Sequence, residues 1–370
     1  MDIIGIIAEY NPFHNGHIYH INKIKELYPN SIIILVLNGY FLERGEISIE
    51  SVKNKTLLAL ENNVDIVIEL PFIFGSNSAD IFSDASIELL HYLGVKKIIF
   101  GSESGDVNKL YEMANISLNK DYDSKVKEYL KDGVNYPTAL NLALKTNIST
   151  PNDLLGLSYI KTILKHKYDI EAIAIKRTND YHDIENDSNI VSASNIRNKI
   201  INNEDINKYV PTTKYINIID YDLYFKLLKY KIINDDNLDK YLTVDEGIDN
   251  RLKKIINECN SIDDLINKTK SKRYTYNRIN RMFIHILIGL TKKDKEKCLK
   301  NEYIRLLGFN DKGKKYINRI KKDTKIPIVS SLKNINSIIK DYDIKAYEIY
   351  NMLVDEDVLE FEKSNKIIQI

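Results

Sequence analysis

Cysteine is nearly absent from this sequence, and its scarcity excludes two kinds of structural support. The 370 residues contain only Cys259 and Cys298, which lie far apart in surroundings rich in lysine and asparagine. Neither belongs to a C-x-x-C pair or lies near a histidine cluster, so the spacing of a zinc ligand set is missing. We therefore expect no disulfide framework, no disulfide-linked partner and no structural zinc site.

Long apolar runs are absent as well. No stretch reaches the roughly eighteen consecutive apolar residues that a membrane-spanning helix needs. The N-terminus passes directly into Ile3-Ile4-Gly5-Ile6-Ile7, without a basic leader or a small-residue cleavage site. These features predict a soluble, cytoplasmic protein without a membrane partner. A hydrophobic content of 44% is enough to fill a core.

An excess of charge of either sign is missing overall but present locally. The formal net charge is +1, yet residues 270–325 contain eighteen Lys or Arg against five Asp or Glu. This segment carries thirteen excess positive charges, so the rest of the chain carries minus twelve. Such asymmetry is typical of proteins in which one part binds a polyanion such as nucleic acid. The alternative is a solvated helical surface, because lysine is abundant throughout the chain.

Short β-branched runs alternate with helical spacing in the first half of the chain. Five segments have the pattern of buried parallel strands: 3–8, 32–37, 65–70, 97–100 and 170–175. Between them, apolar residues recur at helical spacing, as at Ile18, Ile21 and Ile24. This alternation predicts an α/β fold with a doubly wound parallel sheet, which we assign to a first domain at 1–205.

The second half has a different pattern. After Pro211 it is mainly helical, without convincing strands, which predicts a basic, α-rich second domain at 206–370. One helix has an apolar face formed by Ile279, Met282, Phe283, Ile286 and Leu287. Tyr274 and Tyr276 lie among its basic neighbours and are candidates for stacking on unpaired bases. Packing in the core explains either tyrosine equally simply.

The segment His14-Asn15-Gly16-His17 directly follows the first predicted strand and opens a helix. Ligands of doubly wound sheets bind beyond the carboxyl ends of the strands, and a helix N-terminus favours phosphate. Gly16 permits close approach of the backbone, and the imidazoles can donate hydrogen bonds to charge that develops on an α-phosphate. The alternatives are a chance pair of histidines or a zinc site that lacks a third ligand. We interpret the segment as an H-x-G-H nucleotide site of the nucleotidylyltransferase type.

A second cluster, Ser192-Ala193-Ser194-Asn195-Ile196-Arg197, combines two hydroxyls, a predicted helix start and an arginine. These groups are typical of a phosphate-binding site, and we expect Ser194 to be the N-cap. An ordinary N-cap with a surface arginine is the alternative. Gly101 at a strand end and Asn152 at a helix start are further candidates, although turn or cap chemistry explains both.

Together these segments resemble one known family, the tRNA(Met) cytidine acetate ligases. The resemblance extends over nearly the whole chain. The matching blocks of the first half are 5–17, 44–46, 67–71, 100–104, 151–152, 175–177 and the triplet Tyr181-His182-Asp183. Those of the second half are 246–247, 250–252, 272–275, 278–279, Arg281 and 307–310. Because blocks occur in both halves, the match is specific.

The resemblance implies a two-step reaction. Acetate attacks the α-phosphate of ATP to give acetyladenylate and pyrophosphate, and N4 of the wobble cytidine of elongator tRNA(Met) then takes the acetyl group. His14 and His17 would stabilise the transition state. With the second cluster included, the expected ATP-binding residues are Ile7, Ala8, Glu9, Tyr10, Asn11, Pro12, Phe13, His14, Asn15, Gly16, His17, His20, Gly101, Asn152, Arg177, Ser192, Ser194 and Arg197. Those expected to bind RNA are Lys272, Arg273, Arg278 and Arg281.

Mg²⁺ is expected to accompany ATP, but no carboxylate identifies itself as its ligand. Two positions also depart from the family pattern: Asn38-Gly39-Tyr40 stands where Ser-Gly-Asn is expected, and Lys55 where an arginine is expected. Lysine lacks the planar fork of arginine, so the pocket for the small acid is less well defined than the ATP site.

Two other functions stay open. One is an adenylyltransferase that joins ATP to a phosphorylated cofactor precursor, and the other is an RNA-binding relative without catalysis. The long basic second half argues against the first. Intact His14, Gly16 and His17 argue against the second.

Overall fold

The computed structural model describes residues 1–134, 136–144, 150–177, 189–364 and 366–370. Within these ranges, eight strands form one mixed sheet. The strands are β1 (Ile3–Ala8), β2 (Ile32–Asn38), β3 (Ile66–Leu70), β4 (Lys97–Ser102), β5 (Glu171–Lys176), β6 (Ile304–Phe309), β7 (Ile328–Val329) and β8 (Ile368–Gln369). The α-helices are α1 (Asn15–Leu27), α2 (Val52–Glu61), α3 (Phe72–Gly75), α4 (Ala79–Tyr92), α5 (Val107–Ser117), α6 (Lys120–Lys131), α7 (Tyr136–Leu144), α8 (Pro151–His166), α9 (Ala193–Ile201), α10 (Tyr221–Asn234), α11 (Ile248–Ile255), α12 (Ile262–Thr269), α13 (Tyr276–Ile288), α14 (Lys292–Lys297), α15 (Asp311–Ile320), α16 (Ile338–Met352) and α17 (Leu359–Glu362).

Five parallel strands in the order β5-β4-β1-β2-β3 form the first part of the sheet. The strands begin in the centre with β1, continue outward to β3, and then return beside β1 as β4. This reversal makes a switch point between β1 and β4, where ligands of such sheets bind. The doubly wound parallel sheet predicted for the first half is therefore confirmed, and β2 and β4 extend only one and two residues beyond their predicted ends.

Strands also occur in the second half, where we expected none, so that expectation was wrong. β6 pairs antiparallel with β3, and both β7 and β8 pair parallel with β6. All six residues of β6 are buried, including Arg305, whose charge interrupts the apolar run of a core strand. Arg305 is accommodated because its guanidinium lies 2.5 Å from Glu69 Oε2 and 2.6 Å from Glu362 Oε2. A partner that distant in the sequence is not visible in the local pattern.

One hydrophobic core includes residues of both predicted domains. It extends from Ile3 in β1 to Phe361 in α17, and the predicted apolar face of α13 belongs to it. Ile279, Met282, Phe283 and Ile286 are completely buried, which confirms that prediction. Near residue 205 a second, smaller cluster is formed by Ile196, Ile206, Tyr209 and Val210. The position of a domain boundary stays a prediction.

Among the residues that the structure describes, no helix has the length and apolar character needed to cross a membrane. Cys259 and Cys298 are free thiols, and both are buried. Burial raises the pKa of each thiol, so both are protonated at neutral pH.

Candidate nucleotide-binding site

A cavity of about 280 Å³ lies at the carboxyl ends of β1, β4 and β5, and we call it the carboxyl-edge cavity. It brings together fifteen of the residues predicted from the sequence: Ile7, Ala8, Glu9, Tyr10, Asn11, His14, Gly16, His17, His20, Gly101, Asn152, Arg177, Ser192, Ser194 and Arg197. The remaining three, Pro12, Phe13 and Asn15, do not line it. Residues separated by almost 200 positions in the chain therefore share one concave site.

The start of α1 sets the protonation of the two motif histidines. The Gly16 N–H donates to Nδ1 of His14 at 3.0 Å, and the His14 N–H donates to Nδ1 of His17 at 3.2 Å. Because each Nδ1 accepts a hydrogen bond, each neutral ring carries its proton on Nε2. Both rings line the carboxyl-edge cavity. The capping arrangement thus leaves two Nε2–H donors for a ligand.

Electrostatics keep these imidazoles neutral. Burial lowers the pKa of His14 to about 3, and the cations Arg177 and Arg197 act in the same direction. Burial also lowers the pKa of His17, with His14 and Arg177 contributing, and lowers the pKa of His20 to about 4. Each neutral ring keeps one N–H donor, and such a donor can stabilise a developing anion.

The motif residues that do not line the cavity hold its walls in place. Phe13 is completely buried, and its N–H donates to Oε2 of the buried Glu50 at 2.7 Å. The Asn15 side chain donates to the carbonyls of Asn189 and Lys208, each at 2.9 Å. Asn15 therefore joins α1 to the segments before and after α9.

Gly16 is required for close packing. A Cβ atom at this position would lie 2.7 Å from Cε1 of His14, a distance that real side chains do not tolerate. A larger residue would displace the His14 ring and with it the Nε2–H donor. The prediction that this glycine permits a close approach is consistent with the geometry, although the close neighbour is His14.

The second predicted cluster forms the opposite wall of the cavity. The N-cap of α9 is Ser192, whose Oγ accepts from the Asn195 N–H at 3.2 Å, so the assignment of Ser194 as N-cap was wrong. Ser194 lies within the first turn of α9 and lines the cavity. Arg197 donates to the Asn11 carbonyl and to Glu46 Oε2, both at 2.7 Å. Arg197 thus ties α9 to the motif turn.

Polar groups at the end of β4 form a third wall. The Asn152 amide donates to Glu103 Oε1 at 2.6 Å, and the Ser104 N–H donates to Asp153 Oδ2 at 3.1 Å. Glu103 and Asp153 therefore fix the start of α8 against the end of β4. This is cap chemistry, and it also holds Asn152 at the cavity.

Sequence reasoning did not assign a site role to Glu43, Arg44 and Glu46, which also line the cavity. With Gly45 they form a turn that we call the 43–46 loop. The Glu43 N–H donates to Glu9 Oε1 at 2.7 Å, and burial raises the pKa of the Glu43 carboxyl to about 7. The Arg44-Gly45-Glu46 block was the available signal for this loop. The other lining residues missed by the sequence include three large apolar or aromatic side chains, Phe82, Leu155 and Tyr159.

The two departures from the family pattern lie below the cavity rather than in its wall. Lys55 is completely buried, and its ammonium donates to the carbonyls of Glu9, Asn38 and Gly39 at 3.0, 2.8 and 2.7 Å. All three of its protons are used, so Lys55 holds strand ends together instead of binding an anion. Tyr40 is buried as well and donates to Glu362. Neither residue lines the cavity.

The predicted RNA-binding residues do not form one uniform surface. Lys272 and Arg273 are exposed, whereas the Arg281 guanidinium donates to the Glu43 carbonyl at 3.0 Å and its side chain is 17% exposed. Arg278 lies over the ring of Tyr274 at 4.1 Å. Tyr274 itself is only 3% exposed, so it cannot stack on RNA, while Tyr276 is 48% exposed.

No cluster of three or more His, Cys, Asp or Glu side chains able to hold a metal occurs among the described residues. Glu46, on the cavity wall, is paired with Arg197. The side chains of the described ranges therefore do not form a site for a protein-bound metal ion. The family block Tyr181-His182-Asp183, which follows Arg177 in the sequence, lies outside the described residues.

A parallel sheet with a switch point, an H-x-G-H helix start and arginines in the same cavity define a nucleotidyl transferase fold. The HIGH Nucleotidyl Transferase family model matches residues 1–366, and the chain belongs to that family.

Individual relatives narrow the assignment. A tRNA(Met) cytidine acetate ligase of Mycoplasma mobile is 43% identical over 298 residues, which cover 78% of this chain and 99% of that protein. The one of Clostridium acetobutylicum is 37% identical, with 95% of this chain and 96% of that protein covered. The chain belongs to the tRNA(Met) cytidine acetate ligase family, which confirms the resemblance.

Solved structures agree with this assignment. Thermotoga maritima TmcAL bound with alpha-thio ATP matches with a TM-score of 0.87 and 26% identity over 100% of both chains. The apo form of the same protein matches with a TM-score of 0.89, again over 100% of both chains.

Proposed function

We propose that this chain activates acetate with ATP as acetyladenylate and transfers the acetyl group to N4 of the wobble cytidine of an elongator-type tRNA(Met). The observation that carries the proposal is the pair of Nε2–H donors of His14 and His17, which share one cavity with Arg177. The name of the relatives supports the reaction, and the ATP analogue bound by the Thermotoga protein supports the nucleotide. Since tRNA is the acceptor, the cytoplasm is the proposed location.

In the first step, an acetate oxygen forms a bond to the α-phosphorus of ATP. The bond from that phosphorus to the bridging oxygen breaks, and pyrophosphate leaves. Negative charge on the α-phosphate oxygens is stabilised by the Nε2–H groups of His14 and His17 and by the N-terminus of α1. Arg177 offsets the charge of the triphosphate. These groups act by position and electrostatics and transfer no proton.

In the second step, N4 of the cytidine attacks the carbonyl carbon of acetyladenylate. The bond from that carbon to the phosphate oxygen breaks, AMP leaves, and N4 loses one proton. The cytosine must leave its stack to enter a cavity of about 280 Å³. The apolar side chains of Phe82, Leu155 and Tyr159 offer a surface for a base on the same cavity.

Mg²⁺ stays a prediction. Magnesium usually binds nucleotide enzymes through substrate phosphates, water and one or two carboxylates, so ATP itself would supply most of its ligands. When bound, the ion would neutralise phosphate charge. No step above depends on it.

The two other functions have less support. A cofactor adenylyltransferase would not explain why relatives matched over nearly the full chain are named tRNA(Met) cytidine acetate ligases. A silent relative would have no reason to keep two oriented Nε2–H donors in a cavity with Arg177.

The test is mass spectrometry of tRNA nucleosides after incubation of the purified protein with ATP, Mg²⁺, isotopically labelled acetate and total tRNA. Labelled N4-acetylcytidine is the expected product. Acetate-dependent exchange of pyrophosphate into ATP is measured in parallel and reports on the first step alone. Exchange without labelled RNA would overturn the acceptor, and absence of both signals would overturn the proposed reaction.

A further inference from the structure

Two half-exposed tyrosines begin neighbouring helices of the second half and are not used by the mechanism above. Tyr221 is the first residue of α10 and is 49% exposed, and Tyr276 is the first residue of α13 and is 48% exposed. Helices α10 and α13 pack against each other. Both rings therefore keep an accessible aromatic face, on which a planar group can stack.

Contacts of α13 place the helix against the 43–46 loop. The backbone of Gly45 in the 43–46 loop lies against the backbone of Asn280 and Arg281, where a side chain would collide. Arg281 also donates to the Glu43 carbonyl at 3.0 Å. Tyr276 precedes Asn280 by one helical turn and lies on the same side of α13. It is therefore next to a loop that lines the carboxyl-edge cavity.

The segment before α10 places Tyr221 beside the same loop. The Asn217 N–H donates to the Ile49 carbonyl at 2.7 Å, three residues beyond the end of the 43–46 loop. Desolvation raises the pKa of Tyr221 to about 12, and the charges of Glu46 and Tyr276 act in the same direction. The packing of α10 against α13 and the Asn217–Ile49 hydrogen bond agree with this influence.

One edge of the Tyr221 ring is fixed by packing. Its centroid lies 6.4 Å from that of Tyr224, with an interplanar angle of 71°. Tyr224 is only 4% exposed and belongs to the core. The ring is therefore held in place while half of its surface stays accessible, so little conformational freedom is lost when a planar group stacks on it.

Charges of both signs lie near these rings. Besides desolvation, Glu46 and Asp263 raise the pKa of Tyr221 and Arg197 lowers it, and Glu46 is paired with Arg197 at 2.7 Å. A stacked base contacts the uncharged face of a tyrosine ring. Exposed Lys272 and Arg273 precede Tyr276 by a few residues and can contact the RNA backbone.

We propose that Tyr221 and Tyr276 form a stacking platform for unpaired RNA bases that flank the base entering the carboxyl-edge cavity. The inference rests on the proposed function, since only an RNA substrate supplies such bases. Aromatic stacking on unpaired bases is a common device of single-strand recognition, and it tolerates different bases.

The test compares Tyr221→Ala and Tyr276→Ala with Tyr230→Ala by tRNA binding and by acetyl transfer. Tyr230 lies on the same helix as Tyr221 and is 67% exposed, but nine residues later it faces the opposite side. Each platform variant should bind tRNA about 5- to 100-fold more weakly, the range typical of a lost base stack. Tyr230→Ala should bind like the wild type.

Two further readouts separate stacking from folding and charge. Tyr221→Phe and Tyr276→Phe should retain affinity, because the ring is kept. The slope of log affinity against log salt should be unchanged in the alanine variants, because no phosphate contact is removed. Pyrophosphate exchange, which needs no RNA, reports whether each variant is folded.

The outcomes distinguish the two levels of the proposal. Wild-type affinity and transfer in folded alanine variants would overturn the platform and leave the acetate ligase reaction intact. If the wild type shows neither pyrophosphate exchange nor acetyl transfer, the proposed reaction is wrong. In that case, equal binding of single-stranded RNA by the wild type and the alanine variants would overturn the stacking platform as well.

Discussion

The carboxyl-edge cavity and the basic segment at 270–325 were both selected from the sequence as binding regions, and the fold treats them differently. Fifteen of the eighteen predicted nucleotide-site residues line one cavity. The basic segment is instead dispersed. Arg305 is buried beside Glu69 and Glu362, and Arg281 is paired with Glu43. The H-x-G-H motif therefore located a binding site correctly, whereas the number of charges in residues 270–325 did not locate one surface.

The dispersion continues across the sheet. On α15, the Lys312 ammonium donates to the Ser31 carbonyl at 2.6 Å, and Tyr316 donates to the Leu93 carbonyl at 2.8 Å. Ser31 and Leu93 precede β2 and β4, so α15 covers the amino ends of the parallel strands. Its charges lie at the edge opposite to the cavity. Hydrogen bonds within a strand–turn–helix unit fix the positions of its own residues. The charged residues of a long segment are instead distributed over different parts of the structure by tertiary packing.

The largest effect on stability should come from removal of the buried charge of Arg305. Arg305→Ala should lower the free energy of unfolding by about 3–5 kcal/mol, because Glu69 and Glu362 would stay buried without their cation. Urea unfolding followed by circular dichroism measures the change. The matched control is Lys314→Ala, an exposed residue of the same segment, which should stay within about 0.5 kcal/mol of wild type. Equal losses in both variants would contradict the division of this segment into buried and solvated charges.

The next largest effect should be a loss of activity without a loss of tRNA binding, caused by a substitution in the carboxyl-edge cavity. His14→Ala should reduce acetate-dependent pyrophosphate exchange by about 10²–10³-fold, as expected for removal of one donor to a developing anion. Affinity for tRNA should be retained, because the proposed RNA contacts outside the target base are made by other residues. His91→Ala, at an exposed ring stacked on Tyr168, is the control and should exchange normally. Loss of tRNA affinity together with exchange in His14→Ala would refute the division of labour.

Glu50, which accepts a hydrogen bond from the Phe13 N–H of the motif turn, should make the stability of the protein depend on pH. Desolvation raises the pKa of Glu50 to about 8, while its ordinary value is 4.5. The folded state therefore binds more protons than the unfolded state between these values, and stability falls as the pH rises through that interval. In Glu50→Gln, the decrease in the free energy of unfolding over this pH interval should be smaller by about 2–4 kcal/mol. The reason is that each tenfold change in proton affinity corresponds to about 1.4 kcal/mol.

Thermal or urea unfolding at several pH values measures this slope. The amide oxygen that Glu50→Gln introduces can still accept from the Phe13 N–H, so the turn is kept. Glu112→Gln, at an exposed position of α5, should leave the slope unchanged. An unaltered slope in Glu50→Gln would show that other buried carboxyls control the pH response.

The smallest effect should distinguish the two edges of the sheet. Arg273→Gln should weaken tRNA binding a few-fold and reduce the slope of log affinity against log salt by about one. Arg319→Gln, on α15 at the opposite edge, should change neither. Filter binding over a salt series provides both values. A reduced slope in Arg319→Gln would extend the RNA surface to the amino edge.

Local patterns predicted a large part of the fold. β1 begins and ends at its predicted residues, and the apolar face of α13 is buried as its spacing indicated. β6 was missed because Arg305 interrupts its apolar run, and the Glu69 and Glu362 carboxylates that neutralise it lie 236 residues before and 57 residues after it. Residue type alone could not distinguish Ser192 from Ser194 as the N-cap of α9, because serine is a good capping residue at either position.

The sequence alone determined the strand–turn–helix at residues 3–27 and the residue types at its turn, because hydrogen bonds between near neighbours make that unit. It also determined family membership, because the matching blocks lie in both halves of the chain. Only the tertiary structure decided which charges are buried, that Lys55 holds strand ends, and that α13 packs against both α10 and the 43–46 loop. Those outcomes depend on contacts between residues far apart in the chain, and desolvation at such contacts has no signature in any local pattern.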